Sequence, residues 1–130
     1  MIEIMIPERA ITKYNGRMTS RRGGIYLRPE VKSFEAACRY YTDKVFKGPV
    51  LITRLRVDID FFFDNNRMPD LFNLPKAACD ALNGVIWKDD RQIFAGTLRK
   101  ANAGKNLLII RVWEMSDAEV DNLKEKVELI

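Results

Sequence analysis

The sequence predicts an α+β chain, a small mixed β-sheet flanked by helices in a single domain over residues 1–130. Three observations carry this. Several stretches alternate apolar and polar residues with the period of a strand. Others repeat apolar residues at helical spacing. Along the chain they fall in the order β, loop, α, β, α, β, β, α, which suits a mixed sheet covered by helices.

The first strand is Met1–Ile6, where Ile2, Ile4 and Ile6 alternate with Glu3 and Met5. Residues 9–29 read as a long loop or hairpin. They carry Arg9, Lys13, Arg17, Arg21, Arg22 and Arg28 among Tyr14, Tyr26, Asn15-Gly16 and Gly23-Gly24, and few of them suit a core. The first long helix runs from Pro29 to Phe46, with Val31, Phe34, Ala37, Cys38, Tyr41 and Val45 as its buried stripe, and Gly48-Pro49 breaks it. Val50–Phe63 is the longest strand; its phase slips near Arg54-Leu55, which marks an expected bulge.

A short helix follows, started by Pro75, because proline lacks the N–H that only an interior helical residue must donate. Asn73 is its expected N-cap. Leu74, Ala77, Ala78, Ala81 and Leu82 form its inner stripe, and Asn83-Gly84 ends it. Phe72 is expected to pack back on the helix as a hydrophobic staple. Gln92–Lys100 and Asn106–Glu114 read as the two strands of a hairpin turning at 101–105. The second has apolar side chains on both faces, as a central or partly covered strand would. Ser116 opens a last helix with Glu119 three residues on, a capping box; Val120, Leu123 and Val127 form its inner face, directed at the sheet or at a second subunit.

Composition narrows the chemistry. The 130 residues contain no histidine, which removes Ser-His-Asp and Cys-His catalysis and histidine-based zinc or nuclease sites. Any hydrolysis must then rest on carboxylates, lysine and a metal. Cys38 and Cys79 each fall in a helix and read as reduced, buried thiols of a cytoplasmic protein. No apolar run approaches a membrane span, and the start does not resemble a signal peptide. Charge is uneven: 12 Lys/Arg stand against 5 Asp/Glu through Arg56, and 10 against 13 after it. A basic N-terminal half suits a polyanion. Its arginines suit phosphate contacts and its tyrosines base stacking, although a solvated loop has the same composition.

The chemistry concentrates in residues 70–93. Asp70 precedes the short helix, Asp89 and Asp90 follow it, and Lys76 and Asp80 lie four apart on its outer side. A hard cation such as magnesium takes one or two carboxylates together with water and phosphate oxygens, an arrangement that suits metal-assisted phosphodiester hydrolysis. Lys76 could then neutralise charge on the scissile phosphate. The same residues also suit a solvated acidic loop and a surface ion pair, and spacing alone does not choose between the two readings. Arg67, in the loop before Asp70, is placed to meet a phosphate.

The ordered string Asp70, Asn73, Leu74, Lys76, then Asp80-Ala81-Leu82, then Asp89-Asp90, Gln92 and Ile93 resembles the RusA family of Holliday-junction resolvases, small phage- and prophage-associated endonucleases. The resemblance implies a homodimer that binds four-way DNA junctions and nicks two strands symmetrically, in recombination and repair, with magnesium as cofactor and manganese as a substitute. It implies catalytic roles for Asp70, Lys76 and Asp90. It makes Asp70 and Asp90 metal ligands, with Asp89 assisting, and it casts Lys13, Arg17, Arg21, Arg22, Arg67 and Lys76 as DNA contacts. One position departs: the family's second aspartate is Phe72 here, and phenylalanine cannot ligate a cation. Three outcomes stay open: cleavage on Asp70 and Asp90 alone, substitution by another acid such as Asp64 or Asp80, or junction binding without cutting.

Overall fold

A computed structural model describes residues 1–13, 17–19 and 25–130, with no side-chain detail for 17–19 and 25–27. The strands are β1 (Ile2–Ile6), β2 (Arg17–Thr19), β3 (Ile25–Leu27), β4 (Leu55–Phe63), β5 (Ile93–Ala95), β6 (Leu98–Asn102) and β7 (Leu107–Glu114). The helices are α1 (Pro29–Asp43), α2 (Pro75–Leu82) and α3 (Asp117–Glu128), with 3-10 turns at Leu71–Asn73 and Asp90–Gln92. This is the α+β fold with a mixed sheet. β2 and β3 form a separate antiparallel ribbon.

The main sheet runs β1-β7-β4, with β5 and β6 both on the far edge of β4. β7 is antiparallel to both of its neighbours, whereas β5 and β6 run parallel to β4. The expected hairpin of 92–100 with 106–114 is therefore not formed: β4 lies between its two arms. The reason is visible at the end of β4. Ala103 N–H donates to Phe63 O at 2.9 Å and Asp64 N–H to Asn106 Oδ1 at 3.1 Å, so the turn wraps around β4 instead of closing on itself. β4 offers an inner row of Leu55, Val57, Ile59, Phe61 and Phe63, all buried, and covering both its edges satisfies more backbone than a lone hairpin could. The expected single strand 92–100 breaks at Gly96-Thr97. A Cβ at Gly96 would lie 1.8 Å from Val57 O, so only glycine fits the close approach.

Two other boundaries move. The strand expected from Val50 starts at Leu55, and the irregularity in its pairing with β5 falls between Leu55 and Arg56, beside the expected bulge. Residues before it serve as a brace: Leu51 N–H donates to Ile86 O at 2.7 Å, and Gln92 Nε2 donates to Leu51 O and Thr53 O, both at 2.9 Å. α1 stops at Asp43, and its last stripe residue, Val45, is exposed.

The core lies on one side of the sheet. Val31, Phe34 and Cys38 of α1 and Ala77, Ala78, Ala81 and Leu82 of α2 are buried over the inner rows of β1, β4 and β7. On the alternate residues of these strands Asp60, only 4% exposed, accepts from Arg99 at 2.7 and 2.8 Å and from Arg111 at 3.3 Å; Arg111 also donates to Glu3 at 2.8 Å. Hydrogen bonds from Arg99 outweigh burial and hold the Asp60 carboxyl below its ordinary range. The Ser116/Glu119 capping box of α3 is formed. Only Val120 of its expected inner face is buried, and Leu123 and Val127 stand in solvent.

Candidate nuclease site on a short helix

α2 organises the site. Its inner stripe is buried without remainder, so the outer side has one orientation. The N-terminus differs from expectation. Residues 71–73 form a 3-10 turn, the N-cap is Leu74 and Pro75 is the first helical residue. The turn buries Leu74 and half-buries Leu71 but rotates Phe72 outward, leaving it 85% exposed. The expected staple is absent, and Phe72 has no packing use. Asp70 sits just ahead of the turn, extended and exposed, its carbonyl accepting from Asn73 N–H at 3.1 Å. Lys100 of β6 donates to Pro69 O at 2.8 Å and so pins the residue before it.

At the other end, Gly84 takes the turn at φ +79°, and Asn83 keeps extended backbone while accepting from Trp87 Nε1 at 2.7 Å. The chain then enters the acidic pair. Asp89 is committed to shaping the loop. Its carboxylate accepts from Arg91 N–H at 2.9 Å and Arg91 Nε at 3.2 Å, and Gln92 completes a capping box. The Arg91 backbone N–H, more than the other contacts, lowers the Asp89 carboxyl below its ordinary range. Asp90, half-buried, lies near enough to Cys79 of α2 to oppose ionisation of that thiol, as does Asp80, while Lys76 favours it. Lys76 and Asp80 thus stand on α2 itself, with Asp70 ahead of its first turn and Asp90 in the loop beyond its end. Burial pushes the Cys38 and Cys79 thiols up to about 12, so both stay protonated near neutrality.

Asp80 carries an arrangement that sequence reasoning missed. Lys76 Nζ donates to its Oδ1 at 3.0 Å and Lys13 Nζ to its Oδ2 at 2.7 Å, while Lys13 also lies 3.1 Å from Glu35 of α1. Lys13 is 14% exposed and Asp80 19%, against 60% for Lys76. Burial opposes charge on Lys13, but hydrogen bonds to Asp80 and Glu35 prevail and raise its pKa. Burial likewise opposes charge on Asp80, and the two lysines prevail and lower it. Lys13, expected at the DNA surface, is therefore held inward between two carboxylates. The Lys76–Asp80 pair is legible as an i,i+4 spacing, but nothing in the sequence joins Lys13 to Asp80 across 67 positions.

The remaining DNA candidates separate. Arg67 is exposed, its carbonyl held by Arg9 Nη2 at 2.6 Å. Arg17 lies in β2, in a part without side-chain detail, and Arg21 and Arg22 fall outside the described residues. Asp64 and Asp80, the two acids that could replace a ligand at Phe72, are both paired with cations, Asp64 with Arg9 at 3.5 Å. Among the described residues no three Asp, Glu or Cys side chains converge as a ready-made metal cage. The carboxylates of Asp70, exposed, and Asp90, half-buried, are of the oxygen-donor type that a hard cation such as magnesium takes beside water and phosphate oxygens.

No described helix is long and apolar enough to cross a membrane. Residues 7–113 match the family model described as endodeoxyribonuclease RusA. The chain is also 30% identical over 114 residues, 85% of its length and 90% of the relative's, to the crossover junction endodeoxyribonuclease RusA of Aquifex aeolicus (strain VF5). With the match running from just after β1 almost to the end of β7, and so including α1, α2 and the acidic pair, this chain belongs to the RusA family of endodeoxyribonucleases.

Proposed function

We propose that this protein is a Holliday-junction resolvase, a magnesium-dependent endonuclease that nicks four-way DNA junctions symmetrically as a homodimer. The observation that carries the reading is the match to the endodeoxyribonuclease RusA family over residues 7–113, a span that includes Asp70, Lys76 and Asp90. Asp70 and Asp90 would hold the ion, with manganese able to replace it, and Asp89 fixes the loop that presents Asp90. When bound, the ion orients water and neutralises charge developing on the phosphate. Lys76 contacts the scissile phosphate, and Arg67 and the arginines Arg17, Arg21 and Arg22 bind the backbone. Lys13 acts indirectly, by holding Asp80. Two protomers would set two such sites across one branch point. The relative named as a crossover junction nuclease supports the substrate.

Phe72 favours a second reading, a protein that binds junctions without cutting them. One experiment separates the two. A labelled mobile four-way junction is incubated with the protein and magnesium, with linear duplex as control. Paired symmetric nicks on the junction alone support the resolvase, and Asp70→Asn then removes cleavage while leaving affinity within about twofold. Binding without product, with magnesium and with manganese, supports the second reading. Equal binding of junction and duplex refutes both.

A further inference from the structure

Beside the acidic pair lies a groove of about 440 Å³ that none of the roles above uses. Ile52, Arg54, Lys88, Asp89, Arg91 and Phe94 line it. Asp90 is not in its wall, but the residues on either side of Asp90 are. Phe94 is 51% exposed although it belongs to a sheet strand, and Arg54 Cζ stands 5.6 Å from its ring centroid. Three cations face one carboxylate, and that carboxylate is already occupied by Arg91. The partner of Arg54 is Asp117 at 3.6 Å, fully solvent-exposed, and such pairs exchange readily for another anion.

A positive groove with one open aromatic face suits a phosphate joined to a flat ring. We propose that the groove binds one unstacked nucleotide of the DNA strand whose neighbouring phosphate lies at Asp90, with the base on Phe94 and its phosphate among Arg54, Lys88 and Arg91. Duplex DNA hides its base faces in the stack, whereas a branch point leaves them free to turn out. The groove would thereby help to distinguish branched from linear DNA. This rests on the junction-binding reading above.

The test needs no cleavage. Affinity is measured by fluorescence anisotropy in EDTA, for a four-way junction and a linear duplex, with thermal melting to show that each variant folds. Phe94→Ala should weaken junction binding about 5- to 150-fold, as expected for loss of base–aromatic stacking, and leave duplex binding unchanged. Phe94→Tyr should restore it. The double variant Arg54→Ala/Arg91→Ala should lower the salt dependence of junction binding by about two phosphate contacts. If wild-type affinity survives both variants, or if junction and duplex binding fall equally, the groove assignment is wrong while the resolvase reading stands. If the wild-type protein has no affinity for the junction, both fall.

Discussion

Replacing Asp80 by asparagine tests what holds Lys76 in place. The substitution keeps the shape of the side chain and one acceptor but removes the charge that two ammonium groups share. Lys13 loses a 2.7 Å charge-assisted bond in a mostly buried setting, which is worth about 1.5–3 kcal/mol. Lys76 loses a 3.0 Å bond near solvent, worth about 0.3–0.5 kcal/mol. The sum is about 2–3.5 kcal/mol. At about 2.1 cal/mol/K of unfolding entropy per residue over 130 residues, this lowers Tm by about 7–13 °C. Lys76→Met should cost about 2 °C or less on the same scale. Lys13→Met and Asp80→Asn together should fall well short of additive, with a coupling of about 1.5 kcal/mol, because each removes the same contact. Calorimetry on the wild type and these four variants measures all of this. In single-turnover cleavage, Asp80→Asn should slow the reaction in the wild-type background and have no further effect in Lys76→Ala, since it acts through that lysine. A loss for Asp80→Asn no larger than for Lys76→Met, or additive losses with Lys13→Met, would refute the claim that Lys13 anchors Asp80.

Three further outcomes follow from other parts of the molecule. Phe72→Asp should change stability by no more than about 0.5 kcal/mol, because the ring packs on nothing, and should raise magnesium-dependent cleavage; unchanged cleavage with tighter magnesium binding, read by calorimetric titration, would show that the third acid binds without aiding the reaction. Gly96→Ala should destabilise by about 3 kcal/mol or more in urea unfolding, because its Cβ meets the Val57 carbonyl and the backbone must give way; a cost below about 1 kcal/mol would mean that β5 and β6 adjust freely. Asp60 and Asp80 have folded pKa values below their unfolded ones, so the native state binds fewer protons; their stabilisation is present above about pH 4 and is lost as pH falls through the folded values. Circular dichroism across that window should show the loss, and Asp80→Asn should reduce its amplitude.

The inner stripe of α2, the α3 capping box and the central position of β7 were legible because each is a local pattern with one physical meaning. Pro75 located the start of α2 to within a residue. The course of β6 and β7 was not legible: a turn of that length normally closes a hairpin, and only the unsatisfied edge of β4, about forty positions earlier, diverts it. Asp89-x-x-Gln92 carries a capping-box signature that distinguishes the structural acid from Asp90, and it could have been read from spacing. Phe72 was misplaced because an apolar residue before a helix suggests packing, whereas the 3-10 turn aims it outward. Lys13 looked like one more cation of a basic loop, and its burial depends on where α1 and α2 meet.

The central place of β7 has a consequence for how the molecule comes into being. Its partners are β1, at the start of the chain, and β4, in the middle, and neither touches the other. Until Leu107–Glu114 has left the ribosome, both carry open edges and the apolar rows that will become the core. Assembly is therefore governed by contacts remote in sequence, which makes it slower than for a helical bundle of the same size. During synthesis those edges are exposed to neighbouring nascent chains, and the arrival of one late strand closes them together.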